Sequence, residues 1–171
     1  MKKKLISTVL LTILALVIGC FSVYAVDGTQ PLFRLYNPIL IDHYYTNSLT
    51  ERNFAIANLG YQDEGIAGYV FTTQVAGTVP LYRLYSGTAT DHFYTINPQE
   101  VAVAITLGYT SEGNVGYVYS TPQTGSAAFI RMYSAAGTDH FYTTSLPEVQ
   151  FAQTQGYVIE AVEGFILTSK H

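Results

Sequence analysis

A five-residue string of aspartate, histidine, an aromatic residue, tyrosine and threonine occurs three times in this chain. Its spacing limits what the chain can fold into. The copies are Asp42-His43-Tyr44-Tyr45-Thr46, Asp91-His92-Phe93-Tyr94-Thr95 and Asp139-His140-Phe141-Tyr142-Thr143. Each stands eight positions after an arginine (Arg34, Arg83, Arg131), and each is followed by a Gly-Tyr pair (Gly60-Tyr61, Gly108-Tyr109, Gly156-Tyr157). The arginines lie 49 and then 48 positions apart. A period of that size describes repeated supersecondary units that complete one another's cores. The repeats cover residues 31–73, 80–121 and 128–169 of a single domain, joined by polar connectors that carry Gly77, Pro122 and Gly125.

Each repeat reads the same way. Leu81-Tyr82-Arg83-Leu84-Tyr85 is rich in strand-forming aromatic residues, and Asp91 to Thr95 is a returning strand. Between them Ser86-Gly87-Thr88-Ala89-Thr90 is a turn, with Gly87 the residue suited to positive φ. A helix start follows: Ser48, Asn97 and Ser145 are N-caps, each with a glutamate three residues on (Glu51, Glu100, Glu148). Gly60, Gly108 and Gly156 suit the left-handed cap that ends a helix. A turn with an acid (Glu64, Glu112, Glu160) leads to a last strand, as in Gly68-Tyr69-Val70-Phe71-Thr72. The expected fold is α+β, mainly β, with three ββαβ repeats in a pseudo-threefold arrangement. A helix in every unit argues against a β-trefoil, whose units are strands and loops.

Pairing Tyr85 with Asp91 across a five-residue loop places Arg83, Tyr85, Asp91 and Phe93 on one face of the hairpin. Arg83 and Asp91 are then diagonal neighbours, and a guanidinium there can grip a carboxylate through two parallel hydrogen bonds. By the same frame Arg34 pairs with Asp42 and Arg131 with Asp139. On this reading the three arginines are structural pairs, and the histidines sit on the opposite face as hydrogen-bonded core residues.

The same residues have the chemistry of a sugar site. A pyranose presents an apolar C–H face that suits flat aromatic rings, and hydroxyls that suit fixed carboxylate, guanidinium and imidazole groups. Tyr36, Asp42, His43 and Tyr45 offer that set, as do Tyr85, Asp91, His92 and Tyr94, and Tyr133, Asp139, His140 and Tyr142. Three weak copies gain avidity on a polymer.

Catalysis is not expected. An active site is normally one asymmetric constellation, and the chain has no G-x-S-x-G nucleophile elbow. The three glutamates that follow Gly-Tyr read as turn or cap residues rather than an acid and base pair. No metal or cofactor is expected either, since C-x-x-C and H-E-x-x-H are both missing. Convergence of the three histidines would be the one route to a metal site.

The first residues describe an export signal. Met1-Lys2-Lys3-Lys4 is basic, and Leu5 to Ile18 is an apolar run of fourteen residues, short for a membrane span. Val23-Tyr24-Ala25 suits cleavage to a soluble secreted chain that starts at Val26. Val17-Ile18-Gly19-Cys20 instead resembles a lipobox, which would leave a lipid anchor on Cys20. That cysteine is the chain's only one, so no disulfide can form within it, and the 15 tyrosines and 9 phenylalanines must supply the core. Past residue 25, five cationic residues face twelve acids. This acidic balance excludes a nucleic-acid partner and adsorption to an acidic membrane. The partners that fit are a polysaccharide or peptidoglycan glycan, with an envelope protein as the alternative.

The run Leu-Tyr-Arg-Leu-Tyr, five residues, Asp-His-Phe-Tyr-Thr, then Gly-Tyr and Glu-Gly-x-x-Gly-Tyr-Val resembles the DUF5648 repeat family of exported bacterial and fungal proteins. The likeness covers residues 31 to 169. It implies an accessory module of the kind attached to cell-wall or polysaccharide hydrolases. The chain departs from the pattern in the apolar loop Asn37-Pro38-Ile39-Leu40-Ile41, at Tyr44, at Ala161 and at Phe165. The function expected from these readings is an exported, non-catalytic carbohydrate- or cell-wall-binding module with up to three sites. The alternative is a structural or protein-interaction module at the envelope that recognises through loops 37–41, 86–90 and 134–138.

Overall fold

The structure is a computed structural model that describes residues 28–170. The expected export signal, with Cys20, lies outside the described residues. Over the described residues the chain is mainly β with three short helices. Its elements are β1 (Thr29–Asn37), β2 (Asp42–Thr46), α1 (Leu49–Asn58), β3 (Gln62–Phe71), β4 (Thr78–Ser86), β5 (Asp91–Thr95), α2 (Pro98–Thr106), β6 (Thr110–Tyr119), β7 (Ser126–Ser134), β8 (Asp139–Thr143), α3 (Leu146–Thr154) and β9 (Val158–Leu167). We call β1 to β3 with α1 unit 1, β4 to β6 with α2 unit 2, and β7 to β9 with α3 unit 3.

All strand pairings are antiparallel. Within the units β1 lies between β2 and β3, β4 between β5 and β6, and β7 between β8 and β9. The last strands then meet one another: Phe71 stands opposite Tyr117, Tyr119 opposite Phe165, and Tyr69 opposite Leu167. A side chain would block these approaches. A Cβ on Gly68, Gly116 or Gly164 would lie 2.9, 3.0 or 2.9 Å from the carbonyl oxygen of Leu167, Phe71 or Tyr119, so the backbones can meet only where the residue has none.

The motif strands β2, β5 and β8 are buried along their whole length. On one side Tyr45, Tyr94 and Tyr142 join Leu32, Leu81, Phe129, Val70, Val118 and Ile166 in a central core. On the other, Tyr44, Phe93 and Phe141 anchor three smaller clusters beneath the helices. A strand covered on both sides shows no polar–apolar alternation, and the aromatic strings behave that way. Each helix contributes only one or two buried side chains: Ala55, Ala104, and Val149 with Ala152. Their outer faces keep Phe54, Leu59, Val103, Leu107 and Phe151 exposed.

Two local expectations are corrected. The hairpin register is shifted by one, because Ser86 pairs with Asp91 and Tyr85 with His92. The connecting loop is therefore four residues, and its positive φ falls on Thr90 (58°) rather than on Gly87. Ile41 and Thr138 do the same in the other hairpins. The acids at 64, 112 and 160 lie inside β3, β6 and β9, next to shifts in register, and not in turns. The helix caps follow the sequence: Ser48, Asn97 and Ser145 each accept an amide of the first turn. Gly60, Gly108 and Gly156 take positive φ past the helix ends.

Candidate functional site

Two closed rings of hydrogen bonds tie the units together. In the first, each motif tyrosine uses its phenol twice on the backbone of the preceding unit, with unit 1 closing the ring on unit 3. Tyr94 Oη donates to the Tyr45 carbonyl and accepts the Tyr45 N–H, both at 2.7 Å. Tyr142 does the same to Tyr94 at 2.8 and 2.7 Å, and Tyr45 to Tyr142 at 2.5 and 2.9 Å. All three rings have no exposed surface and pack edge-on. Burial pushes their phenols well above the usual tyrosine range, so they remain neutral donors.

The second ring joins the aspartates and histidines of different copies. Asp42 accepts the His92 N–H at 2.9 Å and lies 2.7 Å from His92 Nδ1. Asp91 holds His140 in the same way, and Asp139 holds His43. Tyr61, Tyr109 and Tyr157 each add a phenol to the aspartate of their own unit. Burial, then the neighbouring aspartate, raises those phenols too. The three aspartates have no exposed surface. Among the described residues they form the one group close enough to hold a metal ion, with ligand atoms within 4.8 Å of one another. Each carboxylate already accepts an amide, an imidazole and a phenol, so the cluster is a hydrogen-bonded plug between the units.

The arginines correct the expected Arg-Asp pairs. Arg34 holds Glu148 of unit 3 through two N–H groups at 3.0 Å, with Glu64 of its own unit 2.9 Å from Nε. Arg83 holds Glu51 of unit 1, with Glu112 at 2.7 Å. Arg131 holds Glu100 of unit 2 and Glu160 of its own. The guanidinium groups also stand over Phe141, Tyr44 and Phe93, 4.7 to 5.3 Å from the ring centres. The first-turn glutamates thus close no capping box. Thr46, Thr95 and Thr143 bridge each of them back to the N-cap amide. Hydrogen bonding from Arg83 holds Glu51 down to about 2, and Arg131 and Arg34 lower Glu100 and Glu148. For the arginines burial alone would lower the pKa, but the paired glutamate raises it further.

The glutamates of these pairs line three clefts, one per junction. Between units 1 and 2 a cleft of about 420 Å³ has Phe54, Leu59 and Tyr61 on one wall and Arg83, Tyr85, His92 and Glu112 on the other. Between units 2 and 3 the cleft is about 370 Å³, with Val103, Leu107 and Tyr109 facing His140. Between units 3 and 1 it is about 220 Å³, with Phe151 and Tyr157 facing Arg34, His43 and Glu64. Each combines an apolar helix wall with a glutamate and an imidazole, the mixture that binds amphipathic small molecules.

The sequence-derived site residues separate accordingly. Asp42, Asp91, Asp139, Tyr45, Tyr94 and Tyr142 have no surface to offer a ligand. The three histidines line the clefts. Tyr36, Tyr85 and Tyr133 are half-buried and stack on His43, His92 and His140 at 4.5 to 4.7 Å. Cleft residues outside the sequence-derived set are the tyrosines of the Gly-Tyr pairs, the outer helix residues and the paired glutamates. The triplicate Gly-Tyr was the available signal.

The chain belongs to the family described as "Domain of unknown function (DUF5648)", whose model matches residues 31–167. No curated protein and no solved structure matches the chain. Among the described residues no helix is long and apolar enough to cross a membrane.

Proposed function

We propose that this chain is an exported, non-catalytic carbohydrate- or cell-wall-binding module, with its three units about a pseudo-threefold axis and one related glycan site at each junction. The observation that carries the reading is the threefold recurrence of a cleft in which an apolar helix wall meets a glutamate and a histidine. The cyclic order of the tyrosine and aspartate–histidine bonds supports the axis. The basic and apolar N-terminal run supports export, either as a soluble chain or anchored through Cys20. The contacts we assign to sugar are His43, His92 and His140 with Tyr36, Tyr85 and Tyr133. The motif aspartates and inner tyrosines are assigned to the framework. Retention of residues 26–171 on insoluble peptidoglycan, chitin and cellulose tests this. We expect retention that a defined soluble sugar competes away. A folded chain that no glycan retains overturns it.

One observation favours a protein-interaction module at the envelope as a second reading. The tip of the first hairpin presents Ile39 at 89% exposure beside Leu40 and Ile41, an apolar knob that the other two hairpins lack.

A further inference from the structure

The three junctions share one frame, and on the last strand of each unit the inward position that changes from apolar to charged is Ala67, Val115 and Glu163. At the junction of units 2 and 3, Glu163 is 3% exposed. Its Oε1 lies 2.8 Å from Arg131 Nη1, and its Oε2 accepts the Ile96 N–H at 2.9 Å. At the junction of units 1 and 2, Val115 belongs to the central core. At the junction of units 3 and 1 the side chain ends at Cβ. There Ala67 borders a polar pocket of about 300 Å³, walled by Arg34, Thr143, Thr144 and Glu148.

The surroundings of that pocket repeat those of Glu163. Arg34 grips Glu148 as Arg131 grips Glu100. Thr143 donates to Glu148 as Thr95 donates to Glu100. Thr144 is the counterpart of Ile96, one residue past the motif. The chain therefore contains its own template of the missing occupant, a carboxyl group set between an arginine and a backbone amide.

We propose that this pocket binds a carboxyl group from outside the chain, which takes at Ala67 the place that Glu163 fills at the other junction. It bonds Arg34 and the Thr144 N–H. The ligand is a short aliphatic acid or the carboxyl of an acidic sugar. The pocket shares Arg34, Glu64 and Glu148 with the neighbouring cleft but none of its aromatic wall, so the proposal does not depend on the glycan reading. Arg34, Glu64 and Glu148 face the incoming group, with His43 behind Glu64. In the matching surroundings burial pushes the Glu163 carboxyl up, against the pull of Arg131. Mildly acidic buffer is therefore the condition for the test.

The test follows amide shifts in residues 26–171 during titration with sodium acetate and, separately, sodium glucuronate, each against sodium chloride at equal ionic strength. The expected result is a saturable shift at Thr144 with a carboxylate and none with chloride. Filling the pocket by Ala67→Glu, or by Ala67→Val (the residue type of unit 2), abolishes it. Glu163→Ala opens a second site, so that Ile96 also responds. Saturation by glucuronate at about tenfold lower concentration than acetate assigns the carboxyl to an acidic sugar, and the reverse order assigns it to a free short acid. No saturable shift at Thr144 with either acid, or a shift that persists in both filling variants, overturns the proposal.

Discussion

The two central rings and the three junction clefts are built from the same repeats, yet they differ in what they keep constant. In the rings every copy supplies the same aspartate, histidine and tyrosine, and each group is engaged by a neighbouring unit. In the clefts the helix wall changes from Phe54 to Val103 to Phe151, and the volume falls from about 420 to about 220 Å³. Identity between copies marks what the units do for one another. Difference between copies marks the outer walls of the clefts, while the histidines of the second ring and Tyr36, Tyr85 and Tyr133, the same in every copy, are what each junction offers alike. A ring residue stabilises the whole domain because a buried polar group with no partner is costly. A cleft residue on the outer helix face carries little of that load.

The most severe challenge to this contrast is Asp91→Ala. It leaves the His140 amide, the His140 ring and the Tyr109 phenol without an acceptor, and urea unfolding should show a loss of about 3–5 kcal/mol. Tyr94→Phe is a smaller cut, which orphans the N–H and carbonyl of Tyr45. We expect a loss of about 2–4 kcal/mol by the same assay.

Acid sharpens the contrast further. Glu51 is depressed in the folded state, from 4.5 to about 2, chiefly by Arg83. Its contribution is complete above the unfolded value and is lost as pH falls through the folded one. Stability should therefore decline between about pH 4.5 and pH 2. Glu51→Gln should flatten that part of a melting-temperature profile, and Glu100→Gln and Glu148→Gln should act in the same direction. The smallest effect is expected in the cleft wall. Phe54→Ser, at a side chain that is already exposed, should change stability by no more than about 0.5 kcal/mol while weakening glycan retention.

What the sequence showed and what it hid follow the range of the interactions. Caps and helix-ending glycines are local, and Ser48, Asn97, Ser145 and Gly60 signalled them correctly. The hairpin register was ambiguous because four-residue and five-residue loops both suit Ser86 to Thr90, and a slip of one moves every side chain to the other face. That slip produced the mistaken Arg-Asp pairs. A deeper reason lies in repetition itself. When Asp42, Asp91 and Asp139 occupy identical frames, a histidine's own aspartate and its neighbour's look the same in sequence. The structure chooses the neighbour, as it does for Arg34 and Glu148, which are 114 positions apart. Glu163 was legible only as a charged residue where the other copies carry alanine and valine, a departure that gains meaning once Arg131 and Ile96 are seen beside it.

The central claim is that the rings hold the domain while the junction clefts recognise. Its most direct test is retention on insoluble glycan of the wild type, of Tyr36→Ala, Tyr85→Ala and Tyr133→Ala singly, and of the triple variant, with urea unfolding measured on each. The account predicts that the single changes weaken retention by about tenfold or less and that the triple change abolishes it, since three weak sites act together. All variants, and the wild type beside them, should unfold cooperatively. Retention that survives the triple change, or a folded wild type that binds no glycan, would contradict it.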